Sequence, residues 1–534
     1  MKTFLKNGMI IDGSGDPSYP GSVIFENDRI TDILPGEKNV DFDGNTIDCA
    51  GWAIAPGFID AHSHNDWFAA LEDPVPYFKT FAEQGVTTQV TGNCGFSPFG
   101  YEADTNYKSL IGGGLFEMDE GPGDYSTFAG WRGAAEKRVP LNIIPLQGHG
   151  TVRIGLSGYA NRALSEKEIS QCRVKIEESF DQGAAGLSFG LMYEPDRYAP
   201  PGELEEAAKI TVKRGGILTV HARAFSASST SYSPPVGGEP HNIRALKEMI
   251  ELARKTGVKL QYSHLIFVGK STWKTADKCL ELIDRARSEG IDISYDLYSM
   301  TFGVSVITVV LPNWYLSLSR EKRNAWGTKI RLAFETGLAK RSVGFDFEDI
   351  QVAWAGEEGK GICGKRISEI AAEWRIGELN AYLRVVEMSR EKGRVNMYRY
   401  YNEDIIRKLM RHEPSLFMTD AWIEKNGVQN AAAYSSFPKF LQIAREEKTI
   451  AMEKAVRKMS GAVAERFCIS GRGTLKAGNY ADITVFDPKR IGPRDSLPER
   501  PAGIEHVFVN GVHVVKQGLA NESLLTGSGK ILTR

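Results

Sequence analysis

Residues 54–62 read IAPGFIDAH, an apolar run of strand length that ends in a histidine. Seven further runs of strand length have a similar apolar character. They are TTQVTGNC (87–94), LNIIPLQGHG (141–150), GLSFGL (186–191), ILTVHA (217–222), KLQYSHL (259–265), IDISYDLY (291–298) and LFMTDA (416–421). Helical patterns separate these runs, and strands that alternate with helices form parallel sheets. Eight such units predict an α/β fold, a closed (β/α)8 barrel.

The helical segments between the runs carry recognisable start and stop signals. Ser165 and Glu168 fit a capping box at the start of a helix that Gly183 ends. Asn242 is predicted to open a second helix, which Gly257 closes. These signals support the alternation of strands and helices on which the barrel prediction rests.

Both ends of the chain have a different texture, with short Val/Ile/Phe runs between Asn-Gly and Asp-Gly turns. We predict that residues 1–54 and 475–534 form one small β domain and that the barrel spans 55–474.

The stretch 301–414 is too long for an ordinary connection and carries its own helical patterns. We interpret it as an insertion over the barrel mouth.

Charge and cysteine usage narrow the functional classes. The chain has 65 Lys and Arg against 67 Asp and Glu, with no long charged run, which favours neither nucleic acid nor a membrane as partner. A small molecule is the expected partner. The first residues lack the apolar region of a signal peptide, so a cytoplasmic location is expected. Six widely spaced cysteines are unlike a disulfide framework.

Side chains that can bind a metal follow several of the predicted strands. His62 and His64 alternate on one strand and therefore face the same side. Further groups of this kind end four other strands: Cys94, His221, His264 and Asp420. Because the carboxyl ends of barrel strands share one mouth, these groups are predicted to converge on a divalent ion. His149 also ends a strand but has no evident partner, so it stays outside this set.

Several longer motifs carry a family resemblance over nearly the whole chain. They are APGFIDAHSHND, VTGNCGFSP, PLQGHGTVRIGLSGYANR, GAAGLSFGLMYEP, HARA, YSHL and the tail RKMSGAVAERFCISGRGTLKAGNYADITVFDP. With these motifs the sequence resembles the N-acyl-D-amino-acid deacylase (D-aminoacylase) branch of the amidohydrolase superfamily. The resemblance implies a distorted TIM barrel, a small β-sandwich made from both chain ends, and zinc as the metal.

The resemblance also implies roles for individual residues. A tightly held zinc would take Cys94, His221 and His264, while His62 and His64 would serve a second, weaker site. Related enzymes bridge two metals with a carboxylated lysine, which GLSFGL lacks, so Cys94 is the alternative bridge and the number of metals stays open. The expected reaction is hydrolysis of an amide by a metal-activated water. Asp420 would act as the catalytic proton acceptor and also as a possible ligand.

Two departures from the family concern the substrate. Family members bind the substrate carboxylate with a lysine after S-H-L and an arginine in H-P-R, where this chain has Ile266 and Ala432, with Asn430 in place of the histidine. An unpaired buried carboxylate is unfavourable, so we hypothesise a neutral, hydrophobic N-acyl amide. The residues expected to contact the substrate are Tyr193, Arg223, Ile266, Tyr298, Met300 and Trp422. Arg223 could still meet an anion.

Other readings stay open at this point. The chain could be a true N-acyl-D-amino-acid deacylase, or act on a cyclic amide such as a hydantoin or lactam, or on an ester. A non-enzymatic alternative is a metal-retaining binding protein. A homo-oligomer is possible.

Overall fold

The computed structural model of the protein describes residues 2–36, 41–112, 116, 123, 125–235, 237–494 and 499–534. Twenty strands lie in this part of the chain. In chain order they are β1 (Lys2–Ile10), β2 (Tyr19–Glu26), β3 (Arg29–Pro35), β4 (Asn45–Asp48), β5 (Ala53–Pro56), β6 (Phe58–Asp60), β7 (Val86–Thr91), β8 (Asn142–Gly148), β9 (Gly186–Gly190), β10 (Ile217–His221), β11 (Lys259–Tyr262), β12 (Ile293–Leu297), β13 (Gly303–Val306), β14 (Ile350–Trp354), β15 (Arg394–Met397), β16 (Ser415–Phe417), β17 (Ile483–Phe486), β18 (Ile504–Val509), β19 (Val512–Lys516) and β20 (Leu519–Ala520).

The α-helices of the described residues alternate with the central strands and fill the stretch between β12 and β16. In chain order they are α1 (Asp66–Ala69), α2 (Val75–Glu83), α3 (Phe128–Ala135), α4 (His149–Ser157), α5 (Glu166–Asp181), α6 (Pro201–Lys213), α7 (His241–Thr256), α8 (Lys270–Trp273), α9 (Ala276–Ser288), α10 (Asn313–Leu316), α11 (Arg320–Asn324), α12 (Trp326–Ala339), α13 (Ile367–Trp374), α14 (Glu378–Met388), α15 (Glu403–Arg411), α16 (Ala432–Glu447), α17 (Met452–Lys458), α18 (Gly461–Phe467) and α19 (Glu522–Leu525).

Eight parallel strands form the central sheet, in the order β16-β12-β11-β10-β9-β8-β7-β6. The two outer strands of this order meet through hydrogen bonds just beyond their ends. The Thr419 amide donates to the Asp60 carboxylate at 2.9 Å, and the Asp420 amide donates to the His62 carbonyl at 3.0 Å. The sheet therefore closes into a barrel, and the predicted fold class is confirmed.

The first predicted run, 54–62, is divided between two sheets. Its first part is β5, which pairs with β1 and β17, while β6 begins the barrel. Gly57 lies at the division, where a Cβ atom would stand 2.2 Å from the Thr87 hydroxyl oxygen. A side chain at this position would clash with the Thr87 side chain, so only glycine allows this close packing. The apolar pattern is continuous across the division because both halves are buried.

Local signals in the sequence set the ends of the helices. The predicted capping box is present, since the Ser165 side chain accepts from the Glu168 amide and the Glu168 side chain accepts from the Ser165 amide. The second predicted helix is α7, and Gly257 follows it with a left-handed φ of 73°. Both helix predictions are confirmed, with the start of α7 one residue earlier than expected.

Strands from both chain ends form a second sheet of nine strands, in the order β20-β19-β18-β17-β5-β1-β2-β3 with β4 beside β1. Its core joins side chains of the two ends, among them Leu5, Phe25, Ile483 and Phe508.

The stretch between β12 and β16 has a three-stranded sheet, β13-β15-β14, and a separate apolar core between Ile307 and Met397. Helix α15 packs instead on the barrel core. The domain boundaries remain a prediction.

No helix in the described part of the chain is both long and apolar enough to cross a membrane. The cytoplasmic location remains a prediction.

A buried ion pair joins the terminal sheet to the barrel. Asp482, just before β17, pairs with the Arg472 guanidinium, and the two side chains are 4% and 1% exposed. The Asp482 carboxylate also accepts from the Asn510 amide at 2.7 Å and from the Asn142 side chain, at the start of β8, at 3.2 Å. One carboxylate therefore connects both sheets.

We expect Asp482→Ala to lower the free energy of unfolding by about 3–5 kcal/mol, because the buried Arg472 charge would lose its partner. Denaturant unfolding followed by circular dichroism measures this change. Asp28→Ala is the control, since Asp28 pairs with Lys530 at 3.2 Å on the surface and should change the free energy of unfolding by less than about 1 kcal/mol. Equal effects of the two substitutions would contradict the prediction.

Candidate metal centre

The predicted metal-binding side chains all stand at one end of the barrel. His62 and His64 follow β6, and Cys94 follows β7. His221 ends β10, His264 follows β11, and Asp420 follows β16. All lie in the interior, and only the Asp420 side chain is substantially open, at 23% exposed. The barrel mouth therefore opens toward Asp420.

Three of these residues adopt a left-handed backbone conformation. The φ angles are 55° for Cys94, 31° for His264 and 49° for Asp420. Such angles are unfavourable for residues other than glycine and persist where the surroundings fix them, often at functional sites. Next to Cys94, a Cβ atom on Gly190 would stand 2.0 Å from the Cys94 carbonyl oxygen. Close backbone packing thus holds the turn that carries the thiol.

The Cys94 thiol is the centre of the cluster. Its sulfur lies 3.3 Å from His62 Nε2, 3.4 Å from His221 Nδ1 and 3.6 Å from His264 Nε2. Three imidazoles from three different strands therefore converge on one sulfur atom. This set includes the cysteine and two histidines that the sequence analysis assigns to the tighter site.

Asp420 brings the remaining histidine into the cluster. Its Oδ1 atom lies 3.4 Å from His62 Nε2 and 3.4 Å from His64 Nε2. Ligand atoms of His62, Cys94, His264 and Asp420 all lie within 4.8 Å of one another. The two groups of donors therefore overlap at His62, which contacts both Cys94 and Asp420.

Burial and the neighbouring charges set the protonation of the cluster. Burial lowers the pKa of His264 to about 4, and burial together with His264 holds the pKa of His221 well below its usual value. Burial opposes ionisation of Asp420, but His62 and His264 outweigh it and keep the pKa of Asp420 well below its ordinary range. The neutral imidazoles of His221 and His264 and the ionised carboxylate of Asp420 are forms that bind metals. His62 differs, because its burial is outweighed by Cys94 and Asp420, which hold its pKa well above the usual value, so its ring would lose a proton on binding a metal.

A shared cation satisfies these contacts better than hydrogen bonds do, because a thiol is only a weak donor and acceptor. The thiol has one proton to donate, yet three imidazole nitrogens face its sulfur. Ligands bound tetrahedrally to one zinc ion stand about 3.5 Å apart, and the contacts around Cys94 match that spacing. Cysteine, histidine and carboxylate are also the donor types that zinc prefers. The residues present therefore fit a zinc ion.

Two buried aspartates that the sequence analysis did not select support the cluster. Asp296, in β12, accepts from the His264 amide at 2.6 Å and lies 3.6 Å from His62 Nδ1. Asp60, in β6, accepts from the His62 amide at 3.2 Å, and burial raises its pKa to about 7. Both are acidic residues inside apolar strand runs, and this unusual setting was the signal available in the sequence.

His149 lies outside the cluster, as the sequence analysis placed it, but it does have a partner. Its Nδ1 atom is 2.7 Å from the Asp196 carboxylate, and its Nε2 atom is 3.5 Å from Glu203. Glu203 also pairs with Arg153. His149 therefore belongs to a buried ionic network, which a single sequence does not reveal because Asp196 and Glu203 come from later segments.

Aromatic rings surround the histidines. The Tyr193 ring lies 4.4 Å from that of His221, and the Phe225 ring lies 4.9 Å from the same imidazole. The Trp422 ring is 5.5 Å from His64, and Phe116, which the sequence analysis missed, is 5.4 Å from His64. Two of the residues predicted to contact the substrate therefore stand against the candidate ligands.

The other residues predicted to contact the substrate are placed differently. The Tyr298 ring contacts Tyr401 at 5.4 Å, Ile266 is buried two residues after His264, and Met300 packs partly buried against the barrel core. Arg223 is engaged elsewhere. Its Nε donates to Glu248 at 2.8 Å, and its two terminal nitrogens donate to the carbonyls of Arg197 and Ala199.

Comparison with known proteins finds deacylases that are similar over nearly the whole chain. No family model matches the chain. An N-acyl-D-glutamate deacylase of Alcaligenes xylosoxydans xylosoxydans is 28% identical over 519 residues, which cover 96% of this chain and 93% of that protein. A D-aminoacylase structure, described for the functional role of its binuclear metal centre, is 25% identical with a TM-score of 0.81, covering 100% of this chain and 99% of the other.

The chain is a homologue of the D-aminoacylase-type amidohydrolases. The resemblance found in the sequence motifs is thereby confirmed. A third comparison agrees on the fold: the N-acyl-D-glutamate deacylase of Bordetella bronchiseptica, bound to zinc and a phosphonate that mimics the tetrahedral intermediate, has a TM-score of 0.79 at 23% identity, covering 100% of this chain and 99% of that one. The roles of the individual residues of this D-aminoacylase homologue remain predictions.

We expect Cys94→Ser to remove most of the bound metal, because a serine hydroxyl is a much weaker zinc ligand than a thiolate. Elemental analysis of the purified, dialysed protein measures the metal per chain. Cys279→Ser is the matched control, since Cys279 is equally buried but lies beside Asn242. Full metal content in Cys94→Ser would exclude the thiol as a ligand.

Proposed function

We propose that this chain is a zinc-dependent hydrolase of amide C–N bonds. The observation that carries the proposal is the convergence of His62, Cys94, His264 and Asp420 at the end of the barrel. His221 and His64 adjoin this group through Cys94 and Asp420 respectively. The homologous deacylases share this fold.

Cys94, His221 and His264 would hold one ion, and His62 and His64 would take part in a second site. A zinc ion bound there supplies Lewis-acid polarisation of a carbonyl and activation of water. The protein contributes the arrangement of donors, because five strand ends fix the donor atoms within a few ångströms of one another. Asp60 and Asp296 hold the backbones of His62 and His264 in place.

Asp420 is the group suited to move protons. It is ionised because of the surrounding imidazoles, and its side chain is the one in the cluster that opens to the mouth. An ionised carboxylate at this place would accept a proton at Oδ and deliver it to the leaving nitrogen of the amide. The left-handed backbone at Asp420 and the bond from its amide to the His62 carbonyl at 3.0 Å keep the carboxylate in position.

We expect Asp420→Asn to lower kcat by about 10²–10⁴-fold, because an amide cannot accept the proton. Steady-state hydrolysis of an N-acyl amide, with metal content measured on the same sample, tests this. Asp284→Asn, on an exposed carboxylate beside His412, is the control and should be active. An Asp420→Asn protein that keeps its metal and its kcat would refute the assigned role.

Removing zinc from the unaltered chain and then restoring it separates an enzyme from a binding protein. A binding protein would show no turnover in either state.

Within the amide class, we propose a neutral, hydrophobic N-acyl substrate. The two family cation positions are Ile266 and Ala432, both buried and apolar. Arg223 has all three guanidinium nitrogens engaged and its side chain is 12% exposed. Arg394, which lines a small cavity beside Trp422, lies 3.2 Å from the Glu424 carboxylate. These positions therefore offer a substrate carboxylate little positive charge.

Aromatic side chains supply apolar contact near the candidate metal ligands. Tyr193 and Phe225 flank His221, while Phe116 and Trp422 flank His64 and contact each other at 5.1 Å. Such a lining favours transfer of an acyl or aromatic group from water. Apolar walls together with engaged cations support a substrate without a free carboxylate.

We expect an N-acyl-D-amino acid carboxamide, or a plain N-acyl amine, to have a kcat/KM at least about tenfold higher than the free acid, since an unpaired buried carboxylate is penalised by more than about 1.4 kcal/mol. Competition between the paired compounds measures the ratio. The double variant Ile266→Lys with Ala432→Arg should shift the ratio toward the acid. A strong preference of the unaltered chain for the free acid would refute the neutral substrate and favour a true deacylase. A hydantoin and an ester in the same panel test the other readings.

A further inference from the structure

One helix of the stretch between β12 and β16 exposes a row of large apolar side chains. Helix α12 rests on the local core through Leu332, which is fully buried. On its outer side, at intervals of four residues, Trp326 is 80% exposed, Ile330 48%, Phe334 72% and Leu338 45%. Residues four apart are neighbours on a helix surface, so these four side chains form one continuous row.

This row is unusual for the molecule. Eleven large apolar side chains of the described residues are well exposed, and four of them belong to α12 while the others are scattered. Single exposed apolar residues need no explanation, whereas a contiguous patch marks an interaction surface. Trp326 and Phe334 are the most exposed of the set. The row is therefore a candidate docking surface.

The surroundings of the row are positively charged. Residues 320–341 contain seven Lys and Arg against two Glu. Three of these cations are paired with acidic side chains, namely Arg323 with Glu391, Arg331 with Glu335, and Lys340 with Asp346 and Glu378. Lys322, Lys329 and Arg341 are exposed and form no ion pair with any described residue. Lys329 stands one turn from Trp326 and next to Ile330. The balanced composition of the chain, which favours no membrane partner, conceals this local excess.

The helix adjoins the mouth side of the barrel. Directly after α12, the carbonyls of Ser342 and Val343 accept from the Ser271 hydroxyl at 2.6 and 2.7 Å. Ser271 belongs to the segment that follows β11, seven residues beyond His264. The docking surface and the candidate metal centre are therefore connected through the same strand-end segment.

We propose that α12 is an interfacial helix that docks this chain on an anionic lipid surface. Trp, Phe, Ile and Leu on one face with Lys and Arg around it are the features of helices that lie in the headgroup region. The positive flank attracts anionic lipid. A second copy of the chain is a poorer occupant, because two such surfaces would bring like charges together. The docking does not depend on the proposed hydrolase activity.

The test uses the full chain, without substrate, and vesicles of phosphatidylcholine with or without phosphatidylserine. In a sedimentation assay we expect binding to the phosphatidylserine vesicles that weakens with salt, and little binding to phosphatidylcholine alone. The double variant Trp326→Ser with Phe334→Ser should lower the partition coefficient at least about tenfold, because both side chains lose their apolar burial. Lys322→Glu with Lys329→Glu should abolish the dependence on phosphatidylserine.

Val174→Ser with Leu519→Ser is the matched control, since these side chains are 56% and 54% exposed but lie on α5 and β20. It should bind vesicles like the unaltered chain, and thermal unfolding should be unchanged in all variants because the altered side chains are exposed. Absence of vesicle binding, or equal binding by the Trp326/Phe334 variant, would overturn the proposal. A dimer in analytical ultracentrifugation that the same variant dissociates would also overturn it and assign the surface to a second copy.

Discussion

The contact of one thiol with three imidazoles is the constraint around which this end of the barrel is built. Cys94 lies within 3.6 Å of ring nitrogens of His62, His221 and His264, which come from strands far apart in sequence. Without a shared ion, these buried polar atoms would have only weak hydrogen bonds to one another, which is unfavourable. The backbone around these side chains is fixed in two ways. Cys94 and His264 have left-handed φ angles. The buried carboxylates of Asp60 and Asp296 accept hydrogen bonds from the backbone amides of His62 and His264. The surrounding fold holds an arrangement that is unfavourable by itself.

The barrel strands and the segments outside them contribute different parts of the candidate metal centre. The strand ends supply donors of fixed geometry, and Asp420, at the last strand, closes the ring of strands through its amide while its carboxylate opens to the mouth. Segments outside the barrel strands supply the environment: Phe116 and Trp422 cover His64, and Arg394 in β15 reaches the cavity beside Trp422. The candidate metal ligands thus come from the strand ends of the barrel, whereas segments outside its strands set the polarity of the mouth.

Charge is distributed in a way that the overall composition hides. Near the metal centre the arginines are engaged by Glu248 and Glu424, so the mouth presents aromatic and aliphatic surface. On α11 and α12 the opposite holds, because the exposed Lys322 and Lys329 form no ion pair with a described residue and lie near exposed Trp326. A chain with 65 basic and 67 acidic residues can therefore combine a site with little free charge and a local basic, apolar surface. Both features follow from which charges find partners in the fold.

The sequence by itself determined the barrel and the identity of the candidate ligands. Strand-length apolar runs ending in histidine, cysteine or aspartate are local patterns, and parallel strands in a closed barrel must bring such ends together. The sequence did not reveal that Gly57 divides the first run between two sheets, that His149 pairs with Asp196, or that Arg223 is engaged by Glu248. It also missed the supporting roles of Asp60 and Asp296 and the exposed face of α12. Only the tertiary structure decided these points, because each depends on which distant segment lies beside a residue, and local periodicity carries no information about that.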